Sequence, residues 1–407
     1  MSTLRVAIRK FGAFESAVRK QYESFCAATG CSLELEAMAL DLNPLVDSLF
    51  TKNGLTDGSW DVAFIVTDWV ADAVEREAII DLAPYLREHP LPDYPAGWPN
   101  SLTGFQQFGE AIYGLPYHDG PECLIYRSDL FADRAEQHAF RERHGYPLAP
   151  PTTWQQFEAI ARFFTRPDEG RYGTIFAAFP DGHNTVYDFC IQLWSRGGEL
   201  TDSGGTPQLA TQQAIAALDF YRRLVNDRSV TPPGLEHIDS VHSGERFAAG
   251  EIAMMVNWFG FAAACEKPGS PTRGKVSVAP PPSAEGHPSA SLNVYWLLCV
   301  AAGSHHRDEA LAFVHHCASP EMDKLTTLEG GIGCRLSTWR DPEVNAIVPY
   351  YHRLADIHRH ARTLPRSRRL PELVSIINRA VQVAISSDEP TADILNRAQQ
   401  EAAALRL

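Results

Sequence analysis

The run "WDVAFIVTD", residues 60–68, decides the fold class. Its continuous apolar segment, 62–66, has the length and character of a strand that is buried on both faces of a parallel sheet. Two further strands are predicted upstream, in "LRVAIRKFG" (4–12) and "SLELEAMAL" (32–40), and apolar residues at helical spacing (14–25) lie between them. Alternation of strands and helices is typical of an open α/β sheet, so we predict the α/β class.

The ends of these three strands carry polar and aromatic side chains. Open α/β sheets bind ligands outside the carboxyl ends of their strands. The residues near those ends that could contact a ligand are Arg9, Phe11, Asn43, Asp68 and Trp69. We expect these side chains to lie along one edge of the sheet.

Length and charge restrict the function classes. A chain of 407 residues, 44% hydrophobic and 21% charged, has room for two globular domains. The net charge of −14 argues against a nucleic acid or an anionic membrane as the main partner. No apolar run is long enough to span a membrane, and the N-terminus has no apolar signal-peptide region. A cytoplasmic protein and an exported domain whose signal was removed are both open alternatives.

The sequence lacks the common catalytic and metal-binding motifs. It contains no G-x-S-x-G, no Walker A loop, no H-E-x-x-H and no G-x-G-x-x-G. Its 8 cysteines form no C-x-x-C pair, and the one close pair, Cys26 and Cys31, leaves a disulfide open. We therefore expect no metal ion and no cofactor.

Several aromatic residues stand next to small polar or charged residues. They are Trp69, Tyr117, Tyr187, Trp194, Trp258 with Phe259, and Tyr295 with Trp296. Proteins hold polyhydroxylated ligands by packing CH groups on aromatic faces while polar side chains bind the hydroxyls. The pattern favours a saccharide or polyol ligand.

Helical periodicity predicts further elements. In "PPTTWQQFEAIARFF" (150–164), Thr152 can cap a helix and Gln155 can return the hydrogen bond. Other helices are predicted over 208–226, 307–317 and 372–386.

Five segments carry a resemblance to a known family. They are "WDVAFIVTDWVADAVEREAIIDLAPYL" (60–86), "EAIYGLPYHDGPECLIYRSDLF" (110–131), "PPTTWQQFEAIA" (150–161), "FAAGEIAMMVNWFGF" (247–261) and "HHRDEALAFVHHCASPEMDKL" (305–325). In this order they resemble the extracellular (periplasmic) solute-binding proteins of ABC importers, in the carbohydrate-binding family 1 that includes maltose-binding protein. Two places depart from the family pattern: 293–296 is bulkier than usual, and Cys334 stands where a proline often precedes the arginine.

The resemblance implies a two-lobed periplasmic-binding-protein fold of type II. Two open α/β sheets would be joined by a hinge that the chain crosses several times, with a ligand cleft that closes by hinge motion. It places the N-terminal lobe at 1–117 and 266–318 and the C-terminal lobe at 118–265 and 319–407. The hinge would lie near 117–121, 262–268 and 316–322. The helices after residue 340 are expected to pack on the C-terminal lobe.

The predicted ligand-binding set joins the strand-end residues to positions that the resemblance marks. The full set is Arg9, Phe11, Asn43, Asp68, Trp69, His118, Asp119, Tyr187, Trp258, Tyr295, Trp296 and Arg335. Three members, Arg9, His118 and Arg335, would also suit an acidic sugar. The neutral and acidic alternatives stay open at this point.

The resemblance implies a binding protein and no enzyme. We predict that the chain captures a small polar solute (a saccharide, polyol or sugar derivative), delivers it to ABC transporter permease subunits, works in the periplasm and is a monomer. The alternative is a glycoside hydrolase or other saccharide-active enzyme that uses the carboxylates of Asp68 and Asp119. A hydrolase would consume the sugar, whereas a binder would leave it unchanged.

Overall fold

The computed structural model describes residues 2–407, which form two compact units. Unit 1 contains the residues up to 120 together with 293–355 and 366–368. Unit 2 contains 121–292, 356–365 and 369–407. Neither unit is a continuous segment, because the chain returns to each of them after visiting the other.

The strands are short, and most of their side chains are buried. They are β1 (Thr3–Arg9), β2 (Glu34–Leu40), β3 (Val62–Val66), β4 (Gln107–Phe108), β5 (Ala111–Ile112), β6 (Leu115–His118), β7 (Glu122–Arg127), β8 (Met254–Trp258), β9 (Val276–Ala279), β10 (Ser291–Leu292), β11 (Trp296–Val300) and β12 (Ala361–Arg362).

Helices make up most of the remaining regular structure. They are α1 (Gly12–Thr29), α2 (Leu42–Val46), α3 (Thr67–Glu75), α4 (Ala83–Glu88), α5 (Ser128–Ala132), α6 (Arg134–His144), α7 (Trp154–Phe164), α8 (Asn184–Trp194), α9 (Gln212–Asn226), α10 (Ser240–Ala248), α11 (Phe259–Ala264), α12 (Arg307–Cys317), α13 (Pro320–Leu328), α14 (Leu336–Trp339), α15 (Pro342–Ile347), α16 (Leu354–Ile357), α17 (Leu370–Ser386) and α18 (Thr391–Ala402). Within residues 2–407, none of the helices combines the length and the apolar character of a membrane span.

Unit 1 is built on a five-stranded sheet with the order β2-β1-β3-β11-β6. β1 is parallel to β2 and β3, whereas β11 runs antiparallel to both β3 and β6. All five residues of β3 are buried, which confirms the prediction of a strand covered on both faces. In this topology the carboxyl ends of β1, β3 and β6 and the start of β11 lie at the same edge.

Unit 2 is centred on a three-stranded antiparallel sheet with the order β8-β7-β9. The helix α8 is buried along its whole length, and α9 and α17 pack against it. A helix that is buried on every side serves as the core of its unit, and here it lies among other helices rather than on the surface.

Local signals in the sequence locate two helix ends well. α1 ends at Gly30, whose φ of 74° lies in the left-handed region that glycine adopts without strain. The capping box of α7 is formed by Thr153 and Gln156, one residue later than the predicted pair Thr152 and Gln155. The motif was recognised correctly, but its register was wrong because adjacent threonines offer the same chemistry.

The structure corrects the predicted division of the chain. The first crossing, between Gly120 and Pro121, falls in the predicted hinge 117–121. Residues 266–292 belong to unit 2, because β9 pairs with β7 of that unit. Residues 319–355 belong to unit 1, where Gln21 on α1 donates from Nε2 to the Met322 carbonyl at 3.0 Å. The hinges predicted near 262–268 and 316–322 are therefore wrong.

The C-terminal helices follow the prediction only from α17 onward. α17 and α18 lie in unit 2, with Leu373, Ile376 and Ala380 buried as expected. The short helix α15 lies in unit 1 instead. The amphipathic pattern of α17 identifies its buried face. A short helix such as α15 has no comparable pattern that identifies the unit it joins.

Candidate functional site

The edge of the unit 1 sheet brings together two tryptophans that are distant in sequence. Trp296 at the start of β11 pairs with Val66 at the end of β3 on one side and with His118 at the end of β6 on the other. Trp69 follows β3 in the first turn of α3, and its ring meets that of Trp296 edge to face at a centroid distance of 5.6 Å. Both tryptophans are only half-buried, so part of each ring is accessible.

A second aromatic group lies along the same edge. Phe11 follows β1 and is 43% exposed. Its ring contacts Phe14 at 5.0 Å, and Phe14 in turn meets the His118 ring edge to face at 4.7 Å. The exposed ring of Phe11 thus packs on the buried ring of Phe14, which also contacts the half-buried ring of His118.

The environment of His118 determines its protonation. Its Nδ1 accepts a hydrogen bond from the Ile332 main-chain N–H at 2.9 Å, which places the proton of the neutral ring on Nε2. Burial lowers the pKa of His118 to about 4, against a smaller opposite effect of the Asp119 carboxylate. The ring is therefore neutral near pH 7 and has one N–H to donate.

Asp119 is held beside His118 by the same loop. Its main-chain N–H donates to the Ile332 carbonyl at 2.9 Å, and its side chain is buried. Asp68, in the first turn of α3, is half-buried. Both carboxylates predicted from the sequence thus belong to the edge segments of unit 1.

Arg9 and Asn43 lie at the outer end of this edge. The Arg9 Nη1 donates to the Leu40 carbonyl and to Asp41 Oδ1, each at 3.2 Å. Asn43 is exposed on α2, and its amide can both donate and accept. These contacts fix Arg9 to the end of β2 and satisfy its charge within unit 1.

Two residues of the predicted set, Tyr295 and Arg335, are interior residues of unit 1. Tyr295 is fully buried, and its hydroxyl donates to Gln106 Oε1 at 2.7 Å. Arg335 is also fully buried; it forms an ion pair with Asp93, and its guanidinium stacks 4.0 Å from the Trp98 ring centroid. Because both side chains are fully buried and bonded to protein groups of unit 1, we remove them from the candidate set.

Unit 2 carries an aromatic pair of its own. Trp258 ends β8 and is half-buried, and Tyr187 lies on α8. Their rings meet edge to face at 5.7 Å with an interplanar angle of 89°. The preceding residue, Asn257, is fixed by a hydrogen bond from Nδ2 to Ser243 Oγ at 2.9 Å, which helps to orient the end of β8.

Sequence reasoning missed two buried acids beside this pair. Glu122 on β7 and Asp188 on α8 are both buried, and Asn184 Nδ2 donates to Glu122 Oε1 at 3.4 Å. Burial raises the pKa of Asp188 to about 8 and raises the pKa of Glu122 well above its ordinary value. The available signal was a single acidic residue inside each of two otherwise apolar runs, "ECLIY" and "VYDFCIQLW".

The described part of the chain contains neither a metal-ligand cluster nor a disulfide. Across residues 2–407, no group of three or more His, Cys, Asp or Glu side chains is arranged to hold a metal ion. All cysteines of this part of the chain are free thiols, so Cys26 and Cys31 form no disulfide. The site consists of aromatic rings and polar side chains alone.

Comparison with known proteins gives a consistent picture. The family model described as bacterial extracellular solute-binding protein matches residues 25–324. A probable ABC transporter-binding protein of Deinococcus radiodurans is 25% identical over 313 residues, which are 75% of this chain and 70% of that protein. A mannitol-binding protein of Pseudomonas aeruginosa is 24% identical over 236 residues, 56% of this chain and 51% of that protein.

Solved structures share the fold over nearly the whole chain. Maltose-bound MalE3 of T. maritima has a TM-score of 0.85 at 22% identity, with 99% of each chain covered. A ribitol complex of a solute-binding protein from Agrobacterium radiobacter K84 has a TM-score of 0.82 at 23% identity, with 98% of each chain covered. These matches confirm the predicted type II periplasmic-binding-protein fold. Since the family model spans most of its length, the chain belongs to the bacterial extracellular solute-binding proteins.

Proposed function

We propose that this protein captures an uncharged saccharide or polyol and delivers it to the permease of an ABC importer. The observation that carries the proposal is the edge of the unit 1 sheet, where Phe11, Trp69 and Trp296 stand beside the neutral His118. Names of similar proteins support the ligand class, since one relative is a mannitol-binding protein and two similar structures hold maltose and ribitol.

The chemistry of the edge suits hydroxylated ligands. Aromatic faces pack against the CH groups of a sugar ring or polyol chain, and water is excluded as they do so. The His118 Nε2–H can donate to a hydroxyl, while Asp68 and Asn43 offer acceptor oxygens. In unit 2 the half-buried Trp258 offers an aromatic ring that is supported by the buried ring of Tyr187.

The charges along the unit 1 edge favour a neutral over an acidic ligand. Of the three groups that could have bound an acid, Arg9 is paired with Asp41 and Arg335 is buried against Asp93. The third, His118, is neutral near pH 7 because burial lowers its pKa to about 4. Arg9, His118 and Arg335, the three residues that suggested an acidic sugar, therefore supply no unpaired positive charge for an acidic ligand.

A glycoside hydrolase is the less favoured alternative. The matching family model describes bacterial extracellular solute-binding proteins, and the relative from Deinococcus radiodurans is named a probable ABC transporter-binding protein. Asp119, one of the two carboxylates that such an enzyme would need, is a buried residue with only 1% of its surface exposed. Delivery to a permease would require the protein to work outside the cytoplasmic membrane, in the periplasm of a two-membrane cell, and we propose that it does so as a monomer.

A thermal-shift screen tests the proposal. Maltose, D-mannitol, ribitol and D-glucuronate are each added to the full chain, and the sugar is analysed afterwards for products. A neutral sugar or polyol that binds should stabilise the protein by about 2.7 kcal/mol at a hundred times its dissociation constant and should be recovered unchanged. Stabilisation by glucuronate alone contradicts the neutral class, and product formation contradicts a binding function.

Matched variants connect this effect to the site. Trp69→Ala should abolish most of the stabilisation because it removes one aromatic face from the edge. Tyr85→Ala is the control, since Tyr85 is a partly buried aromatic of unit 1 that packs on His89 and His315 instead. Equal loss in both variants would show that the effect reports general damage to unit 1.

A further inference from the structure

Each of the buried acids Glu122 and Asp188 is a backbone neighbour of one ring of the aromatic pair of unit 2. Glu122 is opposite Trp258 in the antiparallel ladder of β7 and β8, and opposed residues point to the same face of a sheet. Asp188 follows Tyr187 immediately on α8. Asp188 therefore shares α8 with Tyr187, and Glu122 lies on β7, the strand that pairs with β8 at Trp258.

Hydrogen bonds and burial hold these acids in place. The Ser291 hydroxyl donates to the Glu122 main-chain carbonyl at 2.5 Å, and Asn184, one turn before Asp188, donates to Glu122 Oε1 at 3.4 Å. Glu122 Oε2 is buried without a hydrogen-bond partner. Within the part of the chain that the structure describes, neither acid forms an ion pair with a basic side chain.

Two carboxylates in such a place cannot both be charged at neutral pH. Burial raises the pKa of each acid, and the Asp188 charge raises that of Glu122 further. Tyr221 from α9 faces both acids, Cys123 lies beside Glu122, and Asp181, from the segment before α8, acts on Tyr221. None of these groups is a cation, so protons must neutralise the acids.

We infer that Glu122 and Asp188, kept uncharged in the interior of unit 2, are positioning residues that fix Trp258 and Tyr187 in their edge-to-face arrangement. Loss of the proton from Asp188 to solvent leaves a carboxylate in the interior, beside the orphan oxygen of Glu122. The buried charge can regain water only if α8 and β7 move apart, and this movement separates the two rings. The consequence for sugar binding rests on the proposed function, but the positioning itself does not.

Fluorine NMR of the free protein tests the positioning without any ligand. The chain is labelled with 5-fluorotryptophan, the Trp258 signal is assigned with Trp258→Phe, and the pH is raised from 6 to 9.5. The Trp258 signal should move with a midpoint near pH 8, whereas the signal of Trp154, in the core of the same unit, should stay in place. A Trp258 signal that does not move in the wild type overturns the inference.

Amide substitutions separate the acids from other titrating groups. In the double variant Glu122→Gln/Asp188→Asn the Trp258 signal should keep its low-pH position throughout, because neither buried side chain can then ionise. Glu245→Gln, an exposed acid on α10, should titrate as the wild type does. His183 packs on Tyr187 at 5.9 Å, so His183→Gln is the second control. Loss of the titration in His183→Gln, or its survival in the double variant Glu122→Gln/Asp188→Asn, overturns the inference.

Failure of the proposed function is a separate outcome. If no neutral sugar stabilises the protein but the Trp258 signal titrates as described, the acids still position the aromatic pair and only the assignment of the ligand is wrong. If a sugar binds while the signal stays fixed, the positioning role is wrong and the binding function stands.

Discussion

At the scale of single residues, a comparison of Trp258 with Trp154 separates a ligand contact from a core side chain. Its ring is half-buried and contacts Tyr187, whereas Trp154 is buried in the core of the same unit and donates from Nε1 to Ser195 Oγ at 2.8 Å. Trp258→Ala should weaken sugar binding by about 1–3 kcal/mol, the scale of one aromatic stack. Trp154→Ala should instead cost about 3–5 kcal/mol of stability.

Melting temperatures of the free proteins and calorimetric affinities for the sugar found in the screen check both variants. The account requires Trp258→Ala to melt close to the wild type and to bind weakly. A melting temperature as low as that of Trp154→Ala would make Trp258 a structural residue.

His118 predicts an acid-side effect on stability. Because burial lowers its pKa to about 4 from 6.5, the unfolded chain takes up this proton first as the pH falls. The stability that neutral His118 contributes is present above pH 6.5 and is lost towards pH 4, at up to about 1.4 kcal/mol per pH unit. His118→Asn keeps an acceptor for the Ile332 N–H and should lose less stability over this range.

Urea unfolding at several pH values between 4.5 and 7 measures the effect. His138→Asn, which changes an exposed histidine of α6, is the control and should follow the wild type. If the free energy of unfolding falls with pH equally in the wild type and in His118→Asn, His118 is not held neutral by its surroundings.

At the scale of elements, Asp188 on α8 predicts that the protein loses folding stability as the pH rises. The pKa of Asp188 is raised from 3.8 to about 8, so the folded state keeps a proton that the unfolded chain has released. Stability is therefore lost as the pH rises from about 4 to 8, again by up to about 1.4 kcal/mol per unit. Asp188→Asn should become more stable than the wild type as the pH rises, by urea unfolding at pH 5, 7 and 8.5. A difference in unfolding free energy between Asp188→Asn and the wild type that stays constant over these pH values would show that Asp188 is not a buried titrating acid.

Local patterns identified most elements because they depend on neighbouring residues. The apolar run of β3 and the amphipathic face of α17 need no knowledge of distant partners. The contacts of Trp296 are different, since they follow from the pairing of β11 with β3 and β6, which no local pattern encodes. The same limit explains why Tyr295, one residue away and facing the interior, was placed in the site.

At the scale of the whole molecule, the division into two units was the least predictable feature. β9 joins a sheet with β7, whose residues precede it by about 150 positions, and α13 packs on α1 near the start of the chain. Loop-rich segments with similar composition lead into both places, so the sequence did not reveal which unit each segment joins. Motion of a hinge on ligand binding stays a prediction of the family resemblance.

Isothermal titration of the full chain with the sugar selected by the screen tests the central claim most directly. The account predicts saturable binding of one sugar or polyol per chain, recovery of that sugar unchanged, and affinity that is lost in Trp69→Ala but kept in Tyr85→Ala. Consumption of the sugar, or an affinity that Trp69→Ala leaves intact, would contradict the assignment of this protein as a saccharide or polyol carrier.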